Sequence, residues 1–163
     1  MTHGDQFGEL EVTVRATLRA CRKEDLPALE WMGLYSRHRE IIHNTFEAQE
    51  RGEALMLLAV AAGFPIAQIW IDFGQDERPP KARLWAVRTF FPLQRAGIGR
   101  RIMVAAERIL AGRRIARAEL EVEAGDREIL PFYRKLGWQI IRHPRERGGS
   151  RERFLLAKAI AAA

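Results

Sequence analysis

The alternation of apolar and polar positions divides the chain into a succession of strands and helices. Glu11 to Ala20 puts Val12, Val14, Ala16 and Leu18 on one face, which predicts a first strand. Lys23-Glu24-Asp25-Leu26-Pro27 offers acids and a proline where a helix starts, so a helix is predicted to about Met32, broken by Gly33. A second helix is predicted over 37–51, with Ile41, Ile42, Thr45, Phe46 and Ala48 inward and Gly52 as its stop. Ala54 to Ala61 and Ile66 to Phe73 are apolar runs joined by Ala-Gly-Phe-Pro, a hairpin signature. Leu84 to Phe91 reads as a largely buried fourth strand. Ile98, Ile102, Ala105, Ala106, Ile109 and Leu110 then repeat at helical spacing, with Gly112 as the C-terminal cap. Ala116 to Ala124 alternates strictly, with Ala118, Leu120, Val122 and Ala124 on one face and Glu119, Glu121 and Glu123 on the other. A short helix with Pro131 in its first turn ends at Leu136 before Gly137. Gln139 to His143 and Arg153 to Ile160 form a final hairpin through Gly148-Gly149. This order predicts an α/β (α+β) mixed sheet with helices packed on it.

Composition narrows the class. At 163 residues the chain reads as one domain, 11–163, behind a flexible tail over 1–10. Cys21 stands alone, so no intramolecular disulfide is expected and cytoplasmic residence is the simplest inference. No apolar run reaches about 18 residues, and the first residues lack the basic and apolar regions of a signal peptide, so no membrane association is expected. The net charge of +6 and pI near 10.2 favour an anionic partner: nucleic acid, a membrane surface or a phosphorylated cofactor. The arginines cluster over 95–101, 113–117 and 142–153 without zinc spacing or a recognisable nucleic-acid motif. Nucleic acid is therefore disfavoured as the main partner, and much of the charge reads as solvated surface.

The stretch Gln94-Arg95-Ala96-Gly97-Ile98-Gly99 joins the fourth strand to the next helix. A helix start leaves N–H groups without partners and carries partial positive charge, so it attracts anions. Glycines let the backbone turn sharply and let a phosphate approach. Arg95, Arg100 and Arg101 add charge at the same place. A P-loop would need Lys-Ser/Thr after Gly99, where Arg100-Arg101 stands, and the dinucleotide fingerprint would need glycine at Ile102. Two readings remain at this point: a pyrophosphate cradle, or a tight turn with solvated arginines.

Element order and two motifs resemble the GNAT superfamily of acetyl-CoA-dependent N-acetyltransferases. Gln94-x-x-Gly97-x-Gly99 is similar to the family's Arg/Gln-x-x-Gly-x-Gly/Ala after its fourth strand. Leu120-Glu121-Val122, Asp126 and Phe132-Tyr133-Arg134-Lys135-Leu136-Gly137-Trp138 resemble its fifth-strand signature and the following Phe-Tyr-x-Lys-Leu-Gly-Phe. The resemblance spans the chain from about Val12 and implies a mostly antiparallel sheet of about seven strands with about four helices on both faces. It implies that the backbone amides of Arg95, Ala96, Gly97, Ile98, Gly99 and Arg100, after Gln94, take the pyrophosphate of coenzyme A. It implies that Val87, Arg88 and Thr89 pair with the pantetheine arm as an extra strand, one N–H polarising the thioester carbonyl. Asp126 stands where the family often has an Asn on the pantetheine; an ionised Asp accepts a hydrogen bond there but cannot donate one.

Tyr133 matches the tyrosine that protonates the departing thiolate; the alternative is a buried core tyrosine. Glu121, upstream in Leu-Glu-Val, resembles the base of the bacterial ribosomal-protein alanine N-acetyltransferases, with Glu123 as runner-up. Against this stands a plain polar strand face, although three carboxylates on a central strand are costly unless they face a wet cleft. His38 and His43 do not share a helix face, so no metal is expected. Trp31, Tyr35 and Phe46 are either core or acceptor-pocket residues. The expected partners are acetyl-CoA and an amine acceptor, a small molecule or a protein N-terminus, with a homodimer left open. The rival readings are an acyl-CoA-binding sensor without catalysis and a basic nucleic-acid-binding domain.

Overall fold

The strands are β1 (Thr17–Ala20), β2 (Ala54–Ala61), β3 (Phe64–Asp72), β4 (Lys81–Thr89), β5 (Arg117–Glu123), β6 (Gln139–Arg142) and β7 (Arg153–Ala159). The α-helices are α1 (Arg39–Glu50), α2 (Ile98–Gly112) and α3 (Leu130–Lys135), with 3₁₀ turns at Lys23–Glu30, Ser36–His38, Phe91–Leu93 and Ala124–Ile129. These come from a computed structural model that describes residues 7–145 and 152–162. The Gly148-Gly149 turn expected between the last strands lies outside the described residues. All seven strands form one sheet in the order β1-β2-β3-β4-β5-β7-β6. Every neighbouring pair is antiparallel except β4 with β5, which are parallel and connected through α2.

Strands β2 and β3 bury both faces because a core lies on each side. Along β2, Leu57, Ala59 and Ala61 join the core under α2 and α3, while Met56, Leu58 and Val60 join the core under α1. The α2 stripe of Ile102, Met103, Ala106 and Leu110 is buried as its spacing predicts. Ala118, Leu120 and Val122 of β5 are buried beside it. Leu156 of β7 is fully buried and pairs with Leu120 and Ile140. Leu156→Ala is expected to lower unfolding stability by roughly 2–5 kcal/mol in urea titrations, because the neighbours cannot collapse into the gap.

Several expected boundaries move for physical reasons. The first strand covers only Thr17–Ala20, and Val12 and Val14 are exposed. Its partner explains this: Thr17 pairs with Val60, and β2 ends at Ala61 in the hairpin turn, so earlier residues have nothing to pair with. The helix expected from Lys23 is a 3₁₀ segment with Pro27 inside it. It ends where Trp31, Met32 and Gly33 all take positive φ, +44°, +57° and +88°. In α1, Ile42, Thr45 and Phe46 are buried, but Ile41 is exposed and Ala48 only half-buried. Gly112 is the last helical residue of α2 rather than its left-handed cap; Arg114 supplies the positive φ, +58°. The fourth strand starts at Lys81 and stops at Thr89, leaving Phe91 exposed. Among the described residues, no helix is long and apolar enough to cross a membrane.

Asp25 ties β1 to the 3₁₀ turn. Its carboxylate accepts from Arg19 Nη1 at 2.6 Å and Nη2 at 2.9 Å, and from the Arg22 N–H at 2.7 Å. The Arg19 hydrogen bond above all, helped by the Arg22 N–H, holds the Asp25 carboxyl below its ordinary 3.8 against the opposing effect of burial. A carboxyl depressed in the folded state contributes stability above its unfolded pKa and loses it as pH falls through the folded value. Asp25→Asn is expected to cost about 1–3 kcal/mol at pH 7, and the gap to the parent to close as pH falls below about 4, read from urea midpoints across pH.

Candidate active site

The site begins where two parallel strands part. β4 and β5 pair only from Lys81–Arg117 to Leu84–Leu120. Beyond Leu84, β4 stays on β3 and leaves β5, so Val87, Arg88 and Thr89 lose their neighbour on that side. A bulge accompanies the parting. Gln68 pairs with Arg88 but Trp70 pairs with Trp85, so β4 carries one extra residue, and Ala86 takes φ +50°. Gln68 is buried and donates from Nε2 to the Ala86 carbonyl at 3.0 Å, which braces the bulge.

The turn after β4 leads straight into α2. Gln94 Nε2 donates to the Thr89 carbonyl at 3.2 Å, fastening the loop to the strand end. Arg95 and Gly97 take φ +66° and +80°, and Gly97 precedes the first residue of α2. Arg95, Ala96, Gly97 and Arg100 are exposed, with Ile98 and Gly99 half-buried. A Cβ on Gly99 would stand 3.5 Å from the Phe132 ring and 3.9 Å from Thr89 Oγ1, so the glycine sits against both α3 and the end of β4. The first N–H groups of a helix have no carbonyl behind them, so this turn can hold an anion.

Between the parted strands and α1 lies a cleft of about 1090 Å³. Val87, Arg88, Glu121, Glu123, Asp126 and Tyr133 all line it. Gln94 to Arg100 do not; they stand beyond the end of β4. Pro131 is in the first turn of α3, which aims Tyr133 from the helix start as expected. The Tyr133 side chain is buried at 6% exposure, its ring edge-on to Phe132 at 5.1 Å. Its hydroxyl has no hydrogen-bond partner among the described residues, and burial pushes its pKa up to about 12. The phenol therefore stays protonated at neutral pH, the state a proton donor needs. No alkaline loss of kcat from Tyr133 ionisation is expected below about pH 10 in a pH–rate series.

The three glutamates of β5 share one face but not one setting. Glu119 pairs with Lys81 and Arg117 at 3.3 and 3.2 Å, outside the cleft. Glu121 Oε2 accepts from Arg153 Nη1 at 2.9 Å, and Arg153 Nη2 lies 3.6 Å from Glu123. Arg153 comes from β7, and sequence spacing gave no sign that it would reach this strand face. Of the aromatics, Tyr35 lines the cleft, Trp31 is buried behind it, and Phe46 belongs to the α1 core. His38 leans on Tyr35 at 6.1 Å. Among the described residues, no group of three or more His, Cys, Asp or Glu could hold a metal ion.

The Arg88 side chain was not foreseen as part of the cleft. Without the bulge it would share the Leu84 face; the extra residue turns it to the Trp85 face, under the Trp31 loop. Its guanidinium lies 3.7 Å from the Tyr35 ring centre and 5.7 Å from that of Trp31.

The sequence model described as the acetyltransferase (GNAT) family matches residues 17–138. No curated protein matches the chain by sequence. Among solved structures, the ribosomal-protein-S18-alanine N-acetyltransferase from Escherichia coli is similar with a TM-score of 0.70 and 22% identity, covering 91% of this chain and 96% of that one. The PaiA N-acetyltransferase from Thermoplasma acidophilum, in complex with coenzyme A, gives 0.70 and 22%, covering 89% and 99%. An aminoglycoside 6'-N-acetyltransferase complexed with coenzyme A gives 0.69 and 17%, covering 90% and 98%. These structures share the fold. With the family's sequence pattern running from β1 to the end of α3, this chain belongs to the GNAT family of acetyltransferases.

Proposed function

We propose that the protein transfers an acetyl group from acetyl-CoA to a primary amine by direct attack, without a covalent enzyme intermediate. The observation that carries this is the unpaired edge of β4 ending on the glycine turn of α2 while Tyr133 faces the same opening. The residues fit the cosubstrate. Gly97 leaves the turn without a Cβ, and the amides of Arg95 to Arg100 are the cradle for its diphosphate. Val87, Arg88 and Thr89 offer main-chain groups to the pantetheine amides, and Asp126 offers an acceptor. Bound there, acetyl-CoA supplies an activated carbonyl with a thiolate leaving group.

Glu121 takes a proton from the acceptor ammonium, directly or through water. The amine nitrogen then bonds to the acetyl carbon as the carbon–sulfur bond breaks, Tyr133 gives its proton to the sulfur, and the second proton lost from the nitrogen restores the phenol through solvent. A backbone N–H of β4 polarises the carbonyl. Glu121 keeps Oε1 without a partner among the described residues, while Arg153 on Oε2 fixes the carboxylate. Glu121→Gln is expected to lower kcat by about ten- to hundredfold, most strongly near neutral pH where the acceptor is still an ammonium; equal activity would assign the role elsewhere.

The experiment that tests the reading has two stages. Acetyl-CoA is expected to raise the melting temperature, and an amine panel is then assayed for thiol release. Binding without thiol release from any amine would mark a sensor. Strong salt-dependent affinity for DNA or RNA with no acetyl-CoA effect would mark a nucleic-acid-binding domain.

A further inference from the structure

Four buried side-chain polar atoms lack a hydrogen-bond partner among the described residues: Trp31 Nε1, Gln68 Oε1, Trp70 Nε1 and Arg88 Nε. They are not scattered. Gln68 pairs with Arg88 across the sheet, and the Arg88 guanidinium lies 5.7 Å from the Trp31 ring and 6.0 Å from the Trp70 ring. Unsatisfied buried groups are rare in native folds and each calls for an explanation. Here three of the four are donors, and of the four residues Arg88 is the one that lines the cleft, with Trp31, Gln68 and Trp70 buried behind it. Trp31 and Met32, neither a glycine, both take positive φ where the Trp31 ring lies beside Arg88.

Two cations that line the cleft, Arg83 and Arg88, have no carboxylate partner among the described residues. Arg153 is bound to Glu121 and Glu123, and Arg83 is exposed. Arg88 is half-buried, stacked on Tyr35 and without a carboxylate partner among the described residues. A guanidinium held flat by rings keeps its fork of N–H donors fixed in direction, the arrangement that receives a carboxylate. The opposite wall carries Glu121, Glu123 and Asp126, which suit an ammonium. The cleft therefore presents separate sites for the two charges of a zwitterion.

We propose that Arg88 anchors a carboxylate of the acceptor, so that the amine acetylated belongs to a free amino acid. This rests on the acetyl-transfer reading above; the products would be the N-acetyl amino acid and the free thiol of coenzyme A. A polyamine or an aminoglycoside would bring only positive charge to this wall and is disfavoured. The same chemistry could arrive on the donor, as the distal carboxylate of succinyl-CoA, and the test separates the two sources.

The twenty amino acids and their carboxamides, with spermidine, are assayed for thiol release with acetyl-CoA and with succinyl-CoA, alongside calorimetry of acetyl-CoA binding. At least one free amino acid is expected to exceed its carboxamide ten- to hundredfold in kcat/KM, chiefly through KM. Arg88→Gln is expected to bring acid and amide within about twofold, and Arg88→Lys to restore part of the preference. If Arg88→Gln does not fold, the wild-type acid-to-amide ratio and Arg88→Lys decide. Equal use of acids and amides, or a preference that survives Arg88→Gln, overturns the proposal. So does a loss in Arg88→Gln confined to succinyl-CoA. A protein that binds acetyl-CoA and acetylates only carboxylate-free amines keeps the transferase reading and loses this one. Acetyl-CoA binding with no amine acetylated, or no binding at all, removes both.

Discussion

Replacing Tyr133 with phenylalanine is expected to lower kcat by about two to three orders of magnitude while leaving acetyl-CoA affinity within about twofold. The substitution removes one oxygen and keeps the ring, so the edge-on contact with Phe132 and the burial in the α2–α3 core survive. A tyrosine that merely filled the core would tolerate it. A proton donor would not, because the thiolate would have to leave unprotonated. The raised phenol pKa, about 12, keeps the proton in place throughout the neutral range. Steady-state kinetics paired with calorimetry decide the matter: unchanged kcat removes Tyr133 from the mechanism, and lost affinity would place it in binding instead.

Gly97→Glu is expected to weaken acetyl-CoA binding by more than about a hundredfold. Two effects add. The backbone there has φ +80°, where a side chain costs about 1–2 kcal/mol. The new carboxylate would also face the diphosphate and oppose the field of the helix start. Gly97→Ala isolates the first effect and is expected to bind several-fold more weakly than the parent. Gly99→Ala is expected to do less, because its Cβ would meet Phe132 at ordinary contact distance. Gly97→Glu with parental affinity in calorimetry would reject the cradle.

How much of this was legible in the chain depended on the length scale involved. The Ala118-Leu120-Val122 alternation and the α2 stripe were readable because each is one periodic segment facing one core. The helix start at Leu130-Pro131 was readable from proline chemistry alone. The start of β1 was not, because it is set by where β2 turns back, some forty residues later. The setting of the Arg88 side chain was not legible for a related reason. One extra residue at Ala86 reverses the faces of everything after it on β4, and no alternation pattern announces a bulge. The Arg153–Glu121 pair depends on how a distant hairpin registers against β5, which local periodicity does not encode.

Strand β7 comes last of the seven in chain order yet lies between β5 and β6. A nascent chain that has emerged from the ribosome only as far as β6 would leave one edge of β5 bare, with Glu121 and Glu123 lacking their arginine. Completion of the cleft is thereby tied to the emergence of β7, and until then the exposed edge is the segment most in need of chaperone cover.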